Sequence, residues 1–120
     1  MSGFSQSDSI WVHAHGRYRR VSCGDLDWIE AERDYVRLHT PGGSFLHHET
    51  MASIEARIGA TAFRRVHRSA IVRWDRASEV RRNPDGALTV ITGGGAEVRV
   101  GRSYARGLLD ELASRAPFAA

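Results

Sequence analysis

The 120-residue chain contains no lysine; all 17 of its basic residues are arginine. It has one cysteine, Cys23, which excludes an intrachain disulfide and a cysteine-based metal cluster. No apolar run approaches the roughly 20 residues that a membrane-spanning helix requires. Residues 1–9 (MSGFSQSDS) lack the basic start and the apolar stretch of a secretory signal. A cytoplasmic setting is the expectation. Catalytic signatures are missing as well: there is no Gly-x-Ser-x-Gly elbow, no Walker loop and no His-Glu-x-x-His. Gly93-Gly94-Gly95 has no lysine after it and reads as a turn. His13 and His15 have metal-ligand spacing on a strand, but no third ligand accompanies them. The expectation is no enzyme, no metal, no cofactor and no small-molecule substrate.

What is present suits one soluble globular domain, with 42% hydrophobic and 26% charged residues. Residues 1–9 and 116–120 read as tails around a domain at 10–115. Short alternating runs separated by turn signals predict strands. Ile10–His15 and Arg17–Ser22 form a hairpin about Gly16. Leu26–Glu32 and Tyr35–Thr40 flank Arg33-Asp34. Pro41-Gly42-Gly43 turns into Ser44–His48. Thr50–Ile58 predicts a helix with Thr50 as N-cap and Gly59 as its stop. Ala62–Ser69 reads as a basic connector and Ala70–Val72 as a short apolar piece. Ala77–Arg82 and Ala87–Thr92 flank the turn Asn83-Pro84-Asp85-Gly86, and Ala96–Val100 is a further strand. Ser103–Ser114 predicts an amphipathic helix capped by Ser103, with Leu108, Leu109 and Leu112 facing the core. Trp11, Trp28 and Trp74 sit in apolar contexts that predict core packing.

The basic charge is uneven. Between Arg64 and Arg82 there are seven arginines (64, 65, 68, 73, 76, 81 and 82) against Asp75 and Glu79. That segment carries +5 in a chain of net +3, which leaves about −2 for the remainder. A basic stripe on a balanced protein is the electrostatic footprint of a polyanion site, or else a solvated arginine-rich surface.

Three motifs occur in order. Leu26-Asp27-Trp28-Ile29-Glu30-Ala31 runs into Asp34-Tyr35-Val36-Arg37-Leu38-His39-Thr40. Phe63-Arg64-Arg65-Val66-His67-Arg68-Ser69-Ala70-Ile71-Val72 follows, and Val98-Arg99-Val100-Gly101-Arg102-Ser103-Tyr104 opens the last helix. Together they resemble the LytTR domain, the output domain of LytR/AlgR-type response regulators, over residues 8–114. The resemblance implies a mostly-β fold: about ten short strands in small sheets, one short internal helix and a C-terminal helix. It implies sequence-specific binding of double-stranded DNA through loops in the major groove, with two copies on a direct repeat. It places Arg33 and Asp34, Arg68 and Arg102 at base-reading positions. Arg73 stands where the family usually has asparagine, and Gly101 where it often has serine.

Arginine suits this chemistry because its planar fork donates two hydrogen bonds to guanine O6 and N7. A phosphate grip is the alternative for each, and a pair with Asp110 is a further alternative for Arg102. Asp34 can accept from cytosine N4 but repels phosphate. Tyr35, Arg64, Arg65, His67, Ser69, Arg73, Arg99, Ser103 and Arg106 are candidate phosphate contacts. His67 would grip more strongly when protonated, below about pH 6.5. The length leaves no room for a sensor domain, which implies either a complete small regulator or an excised output domain. Its expected partners are DNA, a second copy on DNA, and a regulatory protein such as a membrane inhibitor or the missing sensor. The alternative reading is a β-rich module whose arginines bind an acidic or membrane-associated partner.

Overall fold

The computed structural model describes residues 9–115; of the tails expected at 1–9 and 116–120, only Ser9 lies within it, as the first residue of β1. Ten strands and two helices follow in the order β1 (Ser9–Ala14), β2 (Arg17–Ser22), β3 (Trp28–Glu32), β4 (Tyr35–Thr40), β5 (Gly43–His47), α1 (Met51–Ile58), β6 (Phe63–His67), β7 (Ala70–Arg73), β8 (Glu79–Arg82), β9 (Leu88–Ile91), β10 (Glu97–Arg99) and α2 (Arg102–Arg115). The mostly-β architecture in small sheets is as expected. No described helix is long and apolar enough to cross a membrane.

A five-stranded antiparallel sheet, in the order β5-β4-β3-β7-β6, is the middle layer. Strand β7 shows why both of its faces are covered. Ile71 packs with Ile29, Val36, Leu38, the β1–β2 hairpin and α1 on one face. Ala70 and Val72 pack with Leu88, Val90, Val98 and Leu108 on the other. The alternation follows from the two-residue period of a strand. Burial of each such Ile, Leu or Val contributes roughly 1.5–3 kcal/mol before entropic costs. The β10-β9-β8 sheet and α2 form the second outer layer.

Four expectations are corrected. Ala62–Ser69 contains a strand, β6, disguised by a bulge between Arg65 and His67. Its buried pair Phe63 and Val66 lies on opposite faces, as an odd spacing requires, with two arginines between them. Trp11 is 56% exposed, because the alternation that buries Ile10 and Val12 turns it outward. Among the described side chains of α2 only Leu108 is buried; Leu109 is exposed and Leu112 half-buried. Helix α2 starts at Arg102, so Ser103 lies in its first turn and is not its cap. Thr50 does cap α1, its hydroxyl accepting from the Ser53 N–H at 3.0 Å.

Candidate nucleic-acid interface

Strand register gathers three loop tips at one end of the middle sheet. The β3–β4 tip, Arg33-Asp34, follows Glu32 paired with Tyr35. The β6–β7 tip, Arg68-Ser69, meets β3 there, since the Ala31 N–H donates to the Ser69 carbonyl at 2.9 Å. The start of α2 joins them through the Gly101 N–H, which donates to the Val66 carbonyl at 2.7 Å. Arg33, Asp34, Arg68 and Arg102 are all exposed. Among the described residues, none of their side chains makes a hydrogen bond or ion pair, and Arg102 does not pair with Asp110.

Arg33 has φ +61°. Left-handed backbone is costly for a residue with a Cβ, by about 1 kcal/mol or more. Beside this tip, Tyr35 packs its ring 4.9 Å from that of His48. The neighbouring carboxylate Glu32 is held by Arg37 through two bonds of 2.9 Å. That hydrogen-bonded guanidinium lowers the Glu32 pKa.

The Arg68 tip is braced from behind by Arg65. Its guanidinium donates to the His67 carbonyl (2.9 Å), the Arg68 carbonyl (2.7 Å) and Glu55 of α1 (2.6 Å). His67 Nδ1 accepts from the Ser69 N–H at 3.1 Å, which leaves the ring proton on Nε2. Nε2 is thereby left as the ring's donor.

The expected phosphate contacts divide. Arg64 grips Glu111 of α2 with bonds of 2.9 and 2.7 Å, and this pairing raises the Arg64 pKa. The two residues tie α2 to β6 across 47 positions of sequence. Arg73 lies at the far end of β7 from the tip. It donates to the Cys23 carbonyl at 2.7 Å and to Asp75 at 3.0 Å, with its guanidinium over the Phe63 ring. Those bonds are what hold the segment after Val72. Arg99, Ser103 and Arg106 are exposed, with Arg106 one helical turn after Arg102.

A cavity of about 490 Å³ opens between the β8–β9 turn, β10 and the start of α2, lined by His67, Asp85, Arg99 and Arg102 among others. Asp85 was read from sequence only as part of a turn. Its carboxylate accepts from the Ala87 N–H at 3.0 Å and from Arg99 at 2.9 Å. Those bonds, the backbone one first, lower its pKa. A Cβ at Gly101 would stand 3.2 Å from the His67 ring and 3.3 Å from that of Tyr104, which accounts for glycine where a larger residue would crowd the loop.

Asp27, also missed, joins the layers. It accepts from the Thr92 hydroxyl at 2.7 Å and from the Gly94 N–H at 3.2 Å. No group of three or more His, Cys, Asp or Glu side chains is placed to hold a metal among the described residues. His13 instead stacks on Tyr18 at 4.6 Å.

Known proteins share this fold and sequence. A solved LytTr DNA-binding domain of a response regulator from Bacillus cereus superposes with a TM-score of 0.79 at 18% identity, covering 88% of this chain and 97% of the other. The CO-responsive transcriptional regulator RcoM of Rhodospirillum rubrum is 37% identical over 93 residues, which is 74% of this chain and 39% of RcoM. The sensory transduction protein LytT of Enterococcus faecalis is 26% identical over 107 residues, 89% of this chain and 44% of LytT. The chain thus spans less than half the length of these curated relatives. The family model of the LytTr DNA-binding domain matches residues 16–113. The chain belongs to the LytTr DNA-binding domain family, a DNA-binding family of transcription regulators.

Proposed function

We propose that the chain reads duplex DNA in the major groove with Arg33, Arg68 and Arg102. The observation that carries this reading is the meeting, at one end of the middle sheet, of three separate tips with exposed arginines lacking carboxylate partners. An arginine already paired to a carboxylate must break that pair to bind DNA; these three need not. The strain at Arg33 supports the same reading, since strained backbone accumulates at functional positions. Asp34 accepts from a cytosine amino group beside Arg33. Tyr35, His67, Ser69, Ser103 and Arg106 grip the flanking phosphates, while Arg99 is held by Asp85. Arg64, Arg65 and Arg73 are positioning residues, because their guanidiniums are engaged by Glu111, Glu55 and the Cys23 carbonyl.

Two copies bind a direct repeat, and a regulatory protein partner supplies the input. Transcriptional output follows from occupancy of that site. Titration of a duplex of random sequence at several salt concentrations tests the electrostatic part. With the four arginines Arg33, Arg68, Arg102 and Arg106, unpaired among the described residues, each displacing about one counterion, log K falls against log salt with a slope near −4. A slope near zero would remove the polyanion contact altogether.

A further inference from the structure

The β1–β2 hairpin bears a surface that the DNA-reading end does not use. Pairing sets Trp11 opposite Arg20 and His13 opposite Tyr18. These four share the face turned away from buried Ile10, Val12 and Val21. Trp11 is 56% and Tyr18 71% exposed, the highest values among the exposed large hydrophobic side chains. Exposed Trp and Tyr beside arginine is the composition of an interface hot spot.

The arginines are pre-oriented without being neutralised. The Arg20 guanidinium lies over the Trp11 ring at 5.3 Å, and that of Arg19 over Phe45 at 5.1 Å. Such stacking leaves the N–H edges free for an acceptor. Residues 9–22 hold three arginines and no carboxylate. Among the described residues, Arg17, Arg19 and Arg20 form no ion pair. Asp25 shares a cavity with Arg19, Arg20 and the β4–β5 turn at Thr40, Pro41 and Gly42.

That turn also fixes where the hairpin stands. Thr40 is at the opposite end of β4 from Tyr35 and the Arg33 tip. A six-residue strand spans roughly 17–20 Å, so the base of the hairpin is about that far from the reading end. The family match begins at residue 16 and leaves β1 outside it.

We propose that the outer face of the β1–β2 hairpin docks a carboxylate-rich segment of a partner protein. Trp11 and Tyr18 supply the apolar contact and Arg20, on the same face, pairs with a carboxylate; Arg17 and Arg19, opposite Ala14 and Val12 on the hairpin's other face, add to the positive field around it. Charge complementarity selects this occupant. A second copy bound face to face would oppose arginine with arginine, which costs affinity. Duplex DNA is taken at the other end of the sheet. The proposal stands independently of the DNA reading.

The test crosses two variants of the full chain with two probes, poly-L-glutamate and a random-sequence duplex. All substituted side chains are exposed, and thermal unfolding confirms that each variant is folded. Arg20→Ala weakens poly-L-glutamate binding about tenfold and duplex binding by less than threefold. Arg68→Ala/Arg102→Ala does the reverse. Trp11→Ala weakens poly-L-glutamate binding alone, which nonspecific steering by charge would not do. The proposal is overturned if the hairpin variant leaves poly-L-glutamate binding unchanged, or weakens both probes equally. It is also overturned if the hairpin variant affects only the duplex, which would make the hairpin a nucleic-acid face. A chain that binds no duplex yet shows the hairpin effect would refute the DNA reading and leave this surface standing.

Discussion

Asp85 lies against Arg99 in the cavity that also receives His67 and Arg102. The ion pair occupies a guanidinium that would otherwise face phosphate, and the carboxylate itself repels the DNA backbone. Replacing Asp85 with Asn removes the charge and retains a side-chain oxygen for the Ala87 N–H, so the turn is preserved. Arg99 then becomes one additional phosphate contact. Each such contact adds about −0.9 to the slope of log K against log salt. Extrapolated from 1 M to 0.15 M salt, that term is about 0.74 in log K, roughly a fivefold tighter complex. Between 0.15 M and 0.05 M it adds a further factor of about 2.7. Fluorescence anisotropy with a labelled duplex over that salt range reads both quantities. The reasoning is refuted if Asp85→Asn binds with unchanged affinity and slope, or more weakly, because Arg99 would then not face phosphate.

Two further outcomes concern stability. Gly94→Ala puts a Cβ 2.8 Å from Asp27 Oδ2, displacing the carboxylate that links β3 to the β9–β10 turn. The loss of those charged hydrogen bonds should cost about 2 kcal/mol in urea unfolding, and an unchanged midpoint would mean that the turn moves freely. Burial of Glu49 works to raise its pKa, but hydrogen bonds from Ser53, Arg57 and His47 outweigh it and leave the pKa lowered. A carboxylate lowered in the folded state contributes stability above its unfolded value, here near 4.5, and loses it as pH falls through the folded value. Glu49→Gln should therefore be less stable than the parent at pH 7 and show a flatter decline below pH 4.5; parallel curves would contradict the assignment.

Much of the fold was legible locally. The strands about Gly16, the Thr50 cap and the Gly59 stop follow from turn chemistry and period. Strand β6 was not legible, because both its faces are covered and each shows only one apolar residue, Phe63 or Val66, among arginines, with a bulge just after them. Trp11 faces outward despite its hydrophobicity, because Ile10 and Val12 already claim the core face. The positions of Arg33, Arg68 and Arg102 rest on family resemblance, but their meeting at one end depends on the register of β3, β6 and β7. No local pattern encodes that register. The separation of free from engaged arginines was equally hidden. Arg64 and Arg102 look alike in sequence, and only packing brings Glu111 to one of them across 47 residues. Asp27 and Asp85 escaped notice for the same reason, since each acquires its role from a partner on another element.

Selection of bound duplexes from a random pool, with Arg68→Ala and Arg102→Ala in parallel, tests base readout most directly. The account predicts a repeated motif containing guanines, with different columns relaxed in each variant at a cost of about 1–3 kcal/mol per base contact. An unchanged motif with uniformly weaker binding would reduce both arginines to phosphate contacts, and no enrichment by the parent chain would contradict sequence-specific reading.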